Sequence, residues 1–459
     1  MKTKYYTGLL LLAAASLSIT SCEDFVEIDQ PKDQLGSEMI FEDKALVEAA
    51  LNQNYIQLRD KVILSGNNLG VGSLMGLYTD DCTYWLPSNV SENSFFNNTL
   101  VAAEPFVQNF WNGGYQIIYN CNRILEGLDK SQVIAEADKK RLAGEALFTR
   151  TLVHFYLLQL FGDVPYITGT DYRINKQIEK TTQQQLYANL SADAQLAAEL
   201  LPETSTYAYN TGVHKMVVQA FRARLELYRG KWLEAAAFAD DVINSGKYGL
   251  ELDLDRVFLK ESTGTIWQLK SMAEGVNTLD AQNYVFTTVP PPNISLSSSL
   301  TASFETGDLR LEHWIKKLEK DGVYYYHSNK YRERQPTSAS KEFSVLFRLE
   351  EMLYIGTEAA LHLGDKVTAL EYWNVLRLRY GLPLYGEVPV NWQEKLLEER
   401  RHEFFCETGH RFFDLKRTGS LAKEMLKTKS NWQTFYDKLP IPQTELLLNP
   451  NLLPQNEGY

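Results

Sequence analysis

No run of lysine or arginine interrupts this chain, and its 46 Lys and Arg are outnumbered by 58 Asp and Glu, for a formal net charge of -12. Phosphate backbones and anionic bilayer surfaces are held by clustered cations, so the balance argues against nucleic acid or a charged membrane surface as a partner. Cysteine is scarce as well, with 4 in 459 residues. Beyond Cys22 there remain only Cys82, Cys121 and Cys406, so at most one disulfide can form among them and stability must come from burial. Also missing is an apolar run of the ~20 residues that a membrane-spanning helix needs. The stretch from Thr7 to Thr20 is too short and too rich in Ala, Ser and Thr. No GxSxG elbow, HExxH pair, Walker loop or other glycine-rich phosphate cradle occurs, which removes the local signatures of several enzyme classes.

What is present suits a globular chain, 44% hydrophobic and 23% charged, able to bury one large core or two modest ones. Aromatic residues make up 12%, with 26 Tyr and 8 Trp. These rings combine an apolar face with a polar tip, which serves half-wet packing or the binding of amphipathic ligands such as sugars. At the start, Lys2 and Lys4 precede the apolar stretch Leu9 to Leu17, and Ile19, Thr20 and Ser21 lead to Cys22. This three-part pattern reads as a signal peptide over residues 1–21. Ile19-Thr20-Ser21 fits an Ala-x-Ala site poorly, whereas lipoprotein processing requires Cys after the cut. Cys22 is therefore the expected lipidation site, and residues 22–459 are expected to form a single domain.

Periodicity predicts a mainly α fold. In "GEALFTRTLVHFYLLQLFGDVPY", Leu142 (just upstream), Ala146, Thr149, Val153, Tyr156 and Leu160 recur at helical spacing, while Leu147, Phe148, Leu152 and Phe155 cover a second face. This predicts a central helix ended by Gly162 and Pro165. "VVQAFRARLELYRGKWLEAAAFADDVINSGKYGL" reads as two helices turning at Gly230, and "EEMLYIGTEAALHLGDKVTALEYWNVLRLRYGLP" as two turning at Gly364. Ala235 and Ala369 lie five residues after these turns, where two helices would cross closely, as in tetratricopeptide pairs. Further helices are predicted over 43–60, 105–128, 182–200, 391–405 and 421–428. Between them, residues 61–104, 247–344 and 429–459 are expected to be large irregular loop excursions, with a few short strands such as "TGTIWQLK" and "GVYYYH".

Spacing raises two chemistries. His402, Cys406 and His410 are four apart, which on an unbroken helix would align three zinc-type ligands, but Gly409 interrupts that helix and a fourth ligand is missing. The acid pairs Asp80-Asp81 and Glu398-Glu399 do not make a glycosidase couple, because adjacent side chains diverge on helix and strand alike. Arg400, Arg401, Glu403, Arg411, Asp414 and Arg417 alternate with Phe404, Phe405, Phe412 and Phe413, a pattern suited to ion pairs laid over an aromatic core and read as scaffold.

In order, the central helix segment, the two glycine-turn helix pairs, "RLEEMLYIGTEAA", "ERRHEFFCETGHRFFDLKRTG" and the tail "LPIPQTELLLNPNLLPQNEGY" give the chain, from Cys22 to Tyr459, a resemblance to the SusD/RagB-type outer-membrane nutrient-binding lipoproteins. Thr408 departs from the acidic residue or Gly that many relatives carry there. The resemblance implies a tetratricopeptide-like scaffold and no catalytic residue. It also implies a lipid anchor facing the cell exterior, with Glu23 and Asp24 as an export signal behind Cys22. The implied function is capture of oligosaccharide and its delivery to a SusC-type TonB-dependent transporter. No cofactor or metal is expected; calcium, bound by some relatives, has no recognisable loop here. Sugar binding needs ring faces and planar polar groups on firmly held loops. Candidate contacts are Tyr84, Trp85, Asn89 and Asn93 from "DDCTYWLPSNVSENSFF", and Tyr284, Trp314, Tyr324, Tyr325 and Tyr326 from the middle excursion, with Trp85 foremost because Asp, Asn and Ser crowd around it. "VPPPNISLSSS" reads as a connector. The alternatives are a carrier of peptide or another nutrient, a helical-repeat scaffold, or a surface glycoside hydrolase built from dispersed carboxylates.

Overall fold

The computed structural model describes residues 39–86 and 90–459. Cys22, its preceding signal and Asn89 lie outside the described residues. A row of helices forms the body: α1 (Lys44–Asp60), α2 (Val71–Tyr78), α3 (Val90–Phe96), α4 (Pro105–Lys130), α5 (Glu136–Phe161), α6 (Gln183–Leu200), α7 (Lys215–Tyr228), α8 (Trp232–Ile243), α9 (Leu349–Leu363), α10 (Lys366–Arg379), α11 (Trp392–Phe404) and α12 (His410–Arg417). From α4 to α10 each helix packs against the next in chain order, the arrangement of a helical-repeat scaffold.

Local sequence sets the helix ends. The Asp43 carboxylate accepts the Ala45 N–H at 2.8 Å to cap α1, Thr182 caps α6, and Pro105 opens α4 where its missing N–H costs nothing. α4 buries a stripe that includes Val107, Phe110, Trp111, Ile117, Ile118, Ile124 and Leu128 at spacings of three and four. α5 is buried all round from Gly144 onward, as its two apolar faces predict, and ends at Gly162 with φ 78. Gly364 likewise takes φ 84 between α9 and α10, a conformation that costs other L-residues roughly 1 kcal/mol or more. Ala235 and Ala369 are fully buried at their crossings. A Cβ on Gly356 would meet the Tyr372 ring at 2.8 Å, so α9 and α10 cross at a distance only glycine allows.

Two antiparallel sheets decorate this body. Four strands, β1 (Cys82–Tyr84), β3 (Ile294–Leu296), β5 (Val323–Ser328) and β4 (Ile315–Lys320), lie in the order β1-β3-β5-β4. β2 (Thr265–Leu269) pairs with β6 (Ser344–Arg348), and its fully buried Trp267 packs edge-on against Phe148 of α5 at 5.4 Å. The regions expected to be irregular are therefore more regular than that. Residues 61–104 contain α2, α3 and β1, and 247–344 supply most of both sheets. The proline-rich connector leads directly into β3, which lies between β1 and β5. Its strand is only three residues long, too short for alternation to announce. The helix expected over 421–428 spans only Leu421–Met425.

Candidate functional site

The β1-β3-β5-β4 sheet decides which aromatic residues reach solvent. Cys82 pairs with Leu296, which pairs with Tyr326; Thr83 pairs with Ser295. Side chains directly opposite share a face and neighbours alternate, so Cys82, Tyr84, Ile294, Leu296 and Tyr326 share one face, while Thr83, Ser295 and Tyr325 share the other. The Trp85 N–H donates to Asn293 O at 2.8 Å, which extends the β1 ladder by one residue and places Trp85 on the second face.

There the indole, 38% exposed, meets the half-buried Tyr325 ring edge-on, with centroids 5.2 Å apart and planes at 67°. Its Nε1–H donates to Ser295 Oγ at 2.8 Å. The indole is thus fixed at both its backbone and its polar tip. Ser295 was not foreseen from sequence; it follows only from the register across β1 and β3. Asn93 of α3 is half-buried nearby, its Nδ2 donating to Leu86 O at 3.3 Å.

Other candidates are corrected. Trp314 is fully buried, its Nε1–H donating to Leu254 O at 2.9 Å. Tyr284 is 5% exposed and Tyr84 is also buried, and burial pushes the Tyr84 hydroxyl up to about 12, with Glu92 adding to the rise. These three rings offer no open face, since each points to the core side of its element. Tyr324, Tyr325 and Tyr326 do not form one wall either, because strand alternation sends Tyr325 to the opposite side from its neighbours. Tyr324, 52% exposed, lies under Lys317 Nζ, 4.6 Å from the ring centre, while Tyr326 is half-buried.

Ion pairs hold the segment just before β1. Arg401 Nε donates to Asp81 Oδ1 at 2.8 Å, and Arg411 binds both carboxylate oxygens of Asp80 at 3.0 and 3.1 Å. Arg401 also donates to Asp80 O at 3.0 Å, while the Ser297 N–H donates to Asp81 O at 2.9 Å. Burial alone would raise the Asp80 carboxyl, but Arg401 and Arg411 outweigh it and hold it below the usual range. Asp81 is raised by burial, with Arg401 opposing and Asp80 reinforcing. The backbone bearing Trp85 is therefore clamped to α11 and α12.

Three other acids of that region are paired too. Asp414 joins Arg400 at 2.7 Å and Arg417 at 2.8 Å, and Glu403 receives Arg348, Arg379 and Arg310. Glu399 accepts from Trp373 and Arg377. His402 spends Nε2 on Ser303 Oγ at 2.8 Å and stacks on Phe304, whereas His410 stacks on Phe404. With Cys406 at φ 61 and Gly409 at φ 82, the four-residue spacing does not continue on one helix face.

Comparison with known families gives two matches, separated by residues 228–313. Residues 24–227 match a SusD-like family model described as starch-binding, associating with the outer membrane, and residues 314–459 match the SusD family model. The chain belongs to the SusD/RagB family. A SusD-like protein of Formosa agariphila, P2, is 26% identical over an alignment covering 100% of both chains. Among solved structures, a SusD superfamily protein from Bacteroides vulgatus superposes with TM-score 0.77 at 21% identity, covering 91% of this chain and 99% of the other. A laminarin-binding SusD-like protein gives TM-score 0.75 at 22% identity, covering 90% and 99%. These likenesses confirm the helical-repeat scaffold of this SusD-family chain. No described helix is long and apolar enough to cross a membrane.

Proposed function

We propose that this protein is a cell-surface glycan-binding lipoprotein, anchored through Cys22 after removal of residues 1–21. In this reading a single domain, residues 22–459, captures oligosaccharide without cleaving it and passes it to a SusC-type TonB-dependent transporter. The observation carrying this reading is the Trp85 indole, half-open and fixed from behind by Tyr325 and Ser295. A ring held in this way can receive the C–H face of a sugar with little loss of side-chain freedom, the condition under which a modest contact area yields useful affinity. Asn93, on the helix that follows β1, stands beside it to meet hydroxyls. The family description and the laminarin-binding relative support a glucan-type ligand.

A non-catalytic role is supported by the acid pairs. Asp80, Asp81 and Glu399 are committed to arginine partners within the fold, an arrangement that fixes structure rather than proton transfer. The test is direct. Purified protein is titrated with starch and laminarin fragments, and the mixtures are assayed for new reducing ends. Binding without release of reducing ends is expected. Release that disappears on substitution of an Asp or Glu would overturn the reading in favour of a glycosidase. Co-purification of a transporter barrel from membranes tests the partner, and recovery of soluble partners alone would argue for a scaffold.

A further inference from the structure

A second aromatic cleft opens elsewhere on the scaffold and shares no residue with the Trp85 platform. It measures about 470 Å³, within the ~300–1,000 Å³ range of small-ligand sites. Five elements build it: the α7–α8 turn, the last turn of α9, the first turn of α11, the end of α12, and the short helix Leu421–Met425. The sequence treats the first two only as turns of helical hairpins, so nothing there announces a site.

Its walls are rings. Trp232 and His362 stack face to face, with centroids 3.7 Å apart and planes at 6°, and His362 meets Trp392 at 5.2 Å and 86°. Two walls thus stand at a right angle. Burial lowers the His362 pKa, with Glu358 opposing, which favours the neutral imidazole that stacks on an indole. Behind the walls, Arg417 donates to both oxygens of Glu358 at 2.5 and 2.7 Å, so that pair is already satisfied. At the rim, Lys423 and Glu394 pair at 2.9 Å with side chains 64% and 65% exposed, a loose couple that can open to a ligand. Gln393, exposed beside them, adds an amide.

The charges discriminate among ligand classes. Glu358 is spent on Arg417, and Arg229, Arg417 and Lys423 outnumber the two lining carboxylates, so an ammonium ligand would meet ring faces in a net positive cleft. Arg417 is likewise spent on Glu358, and Arg229 holds both oxygens of Glu226 through Nη1, so a phosphate would find no arginine free of a carboxylate there. What remains is flat apolar surface at a corner, an amide and a loose ion pair. That is the complement of a neutral polyhydroxy ring, with a C–H face for the indole and hydroxyls for the rim.

We propose that this cleft is a second carbohydrate site, taking one or two neutral pyranose units independently of Trp85. The proposal rests on the reading of the protein as a glycan binder but not on the platform itself. Two sites on one chain would let a single polysaccharide, or two chains of it, be held at separated points, raising retention through effective concentration.

The test uses maltotriose and laminaritriose, titrated into wild-type protein, Trp85→Ala, Trp392→Ala and the double variant, followed by calorimetry and tryptophan fluorescence. Two binding events are expected for at least one triose in the wild type, one in each single variant and none in the double. In the Trp85→Ala background, Gln393→Ala should weaken the remaining event by roughly tenfold, and it serves as the milder variant should Trp392→Ala misfold. A single event that vanishes in Trp85→Ala overturns the cleft and leaves the platform standing. Binding untouched by Trp85→Ala but lost in Trp392→Ala overturns the platform instead. Failure of the wild type to bind either triose overturns the proposal.

Discussion

Replacing Trp85 by Ala separates a binding surface from a structural one. The indole makes one edge-to-face pair with Tyr325 and one hydrogen bond to Ser295. An aromatic pair contributes about 0.5–1.5 kcal/mol and a neutral hydrogen bond about the same, so the stability lost should be about 1–3 kcal/mol. Unfolding entropy of ~2.1 cal/mol/K per residue, over a chain of this length, converts each kcal/mol into a shift of roughly 1 °C, so Tm should fall by only about 1–3 °C. Truncating an aromatic anchor at the centre of a contact surface typically costs ~2 kcal/mol or more, which is about a 30-fold loss of affinity. Affinity electrophoresis against starch and laminarin gives the first quantity, and a thermal melt of the same preparation gives the second. A Tm drop above ~10 °C accompanying the lost binding would show that Trp85 is core. Unchanged retention would show that it is not a contact.

Arg401→Ala should behave in the opposite way. It strips Asp80 and Asp81 of a buried partner, so stability should fall by ~3–5 kcal/mol and glycan retention should fall with it; urea denaturation showing a loss under 1 kcal/mol would refute the clamp. Glu342, 2% exposed, is pushed up to about 7 by burial, against the Arg332 and Glu333 N–H groups that donate to it. The folded state therefore holds the proton more tightly than the unfolded chain, and its contribution is greatest below pH ~4 and lost as pH rises through about 7. Relative to wild type, Glu342→Gln should gain stability steadily between pH 4.5 and 7.5 in urea midpoints, and a pH-independent difference would contradict this. Burial pushes the Cys121 thiol up to about 12, so iodoacetamide at pH 8 should leave it intact in the native protein and modify it only after unfolding; rapid native labelling, seen by mass spectrometry, would speak against its enclosure.

The helical body was legible because its information is local. Asp43, Pro105, Thr182, Gly162 and Gly364 mark helix ends through their own backbone chemistry, and the observed elements begin and end at or next to them. Ala235 and Ala369 marked the crossings for the same reason. The sheet carrying Trp85 was not legible to that degree. β1 and β3 are three residues each, and their partnership joins residue 83 to residue 295, a pairing that no short-range pattern encodes. Hence Tyr324, Tyr325 and Tyr326 were all candidates, and only the assembled pleat shows that Tyr325 alone of the three shares the Trp85 face. Trp314 and Tyr284 failed for a related reason. A ring in a loop-rich segment reads as exposed until the segment proves to be packed, here with the Trp314 N–H donating to Leu254 O. Trp232, His362 and Trp392 converge only once α8, α9 and α11 are assembled.

The buried charges explain why such a loop-rich flank can still present a fixed surface. An aliphatic core would stabilise the body at least as well, since desolvating an ion pair often offsets its attraction. Apolar contacts, however, are non-directional and tolerate sliding. A guanidinium meeting a carboxylate tolerates little displacement, because its donors point in fixed directions. The pairs here join distant parts of the chain: Arg411 to Asp80, Arg401 to Asp81, Arg348 and Arg379 to Glu403, Arg224 to Glu351. The Asp80 and Asp81 pairs fix an excursion against the helical body at a definite register, Arg348 fixes β6 to α11, and the Arg224 and Arg379 pairs fix the helices to one another. The Asp80 and Asp81 pairs act within five residues of Trp85, so the precision of the platform derives from the C-terminal helices rather than from the short strands that display it.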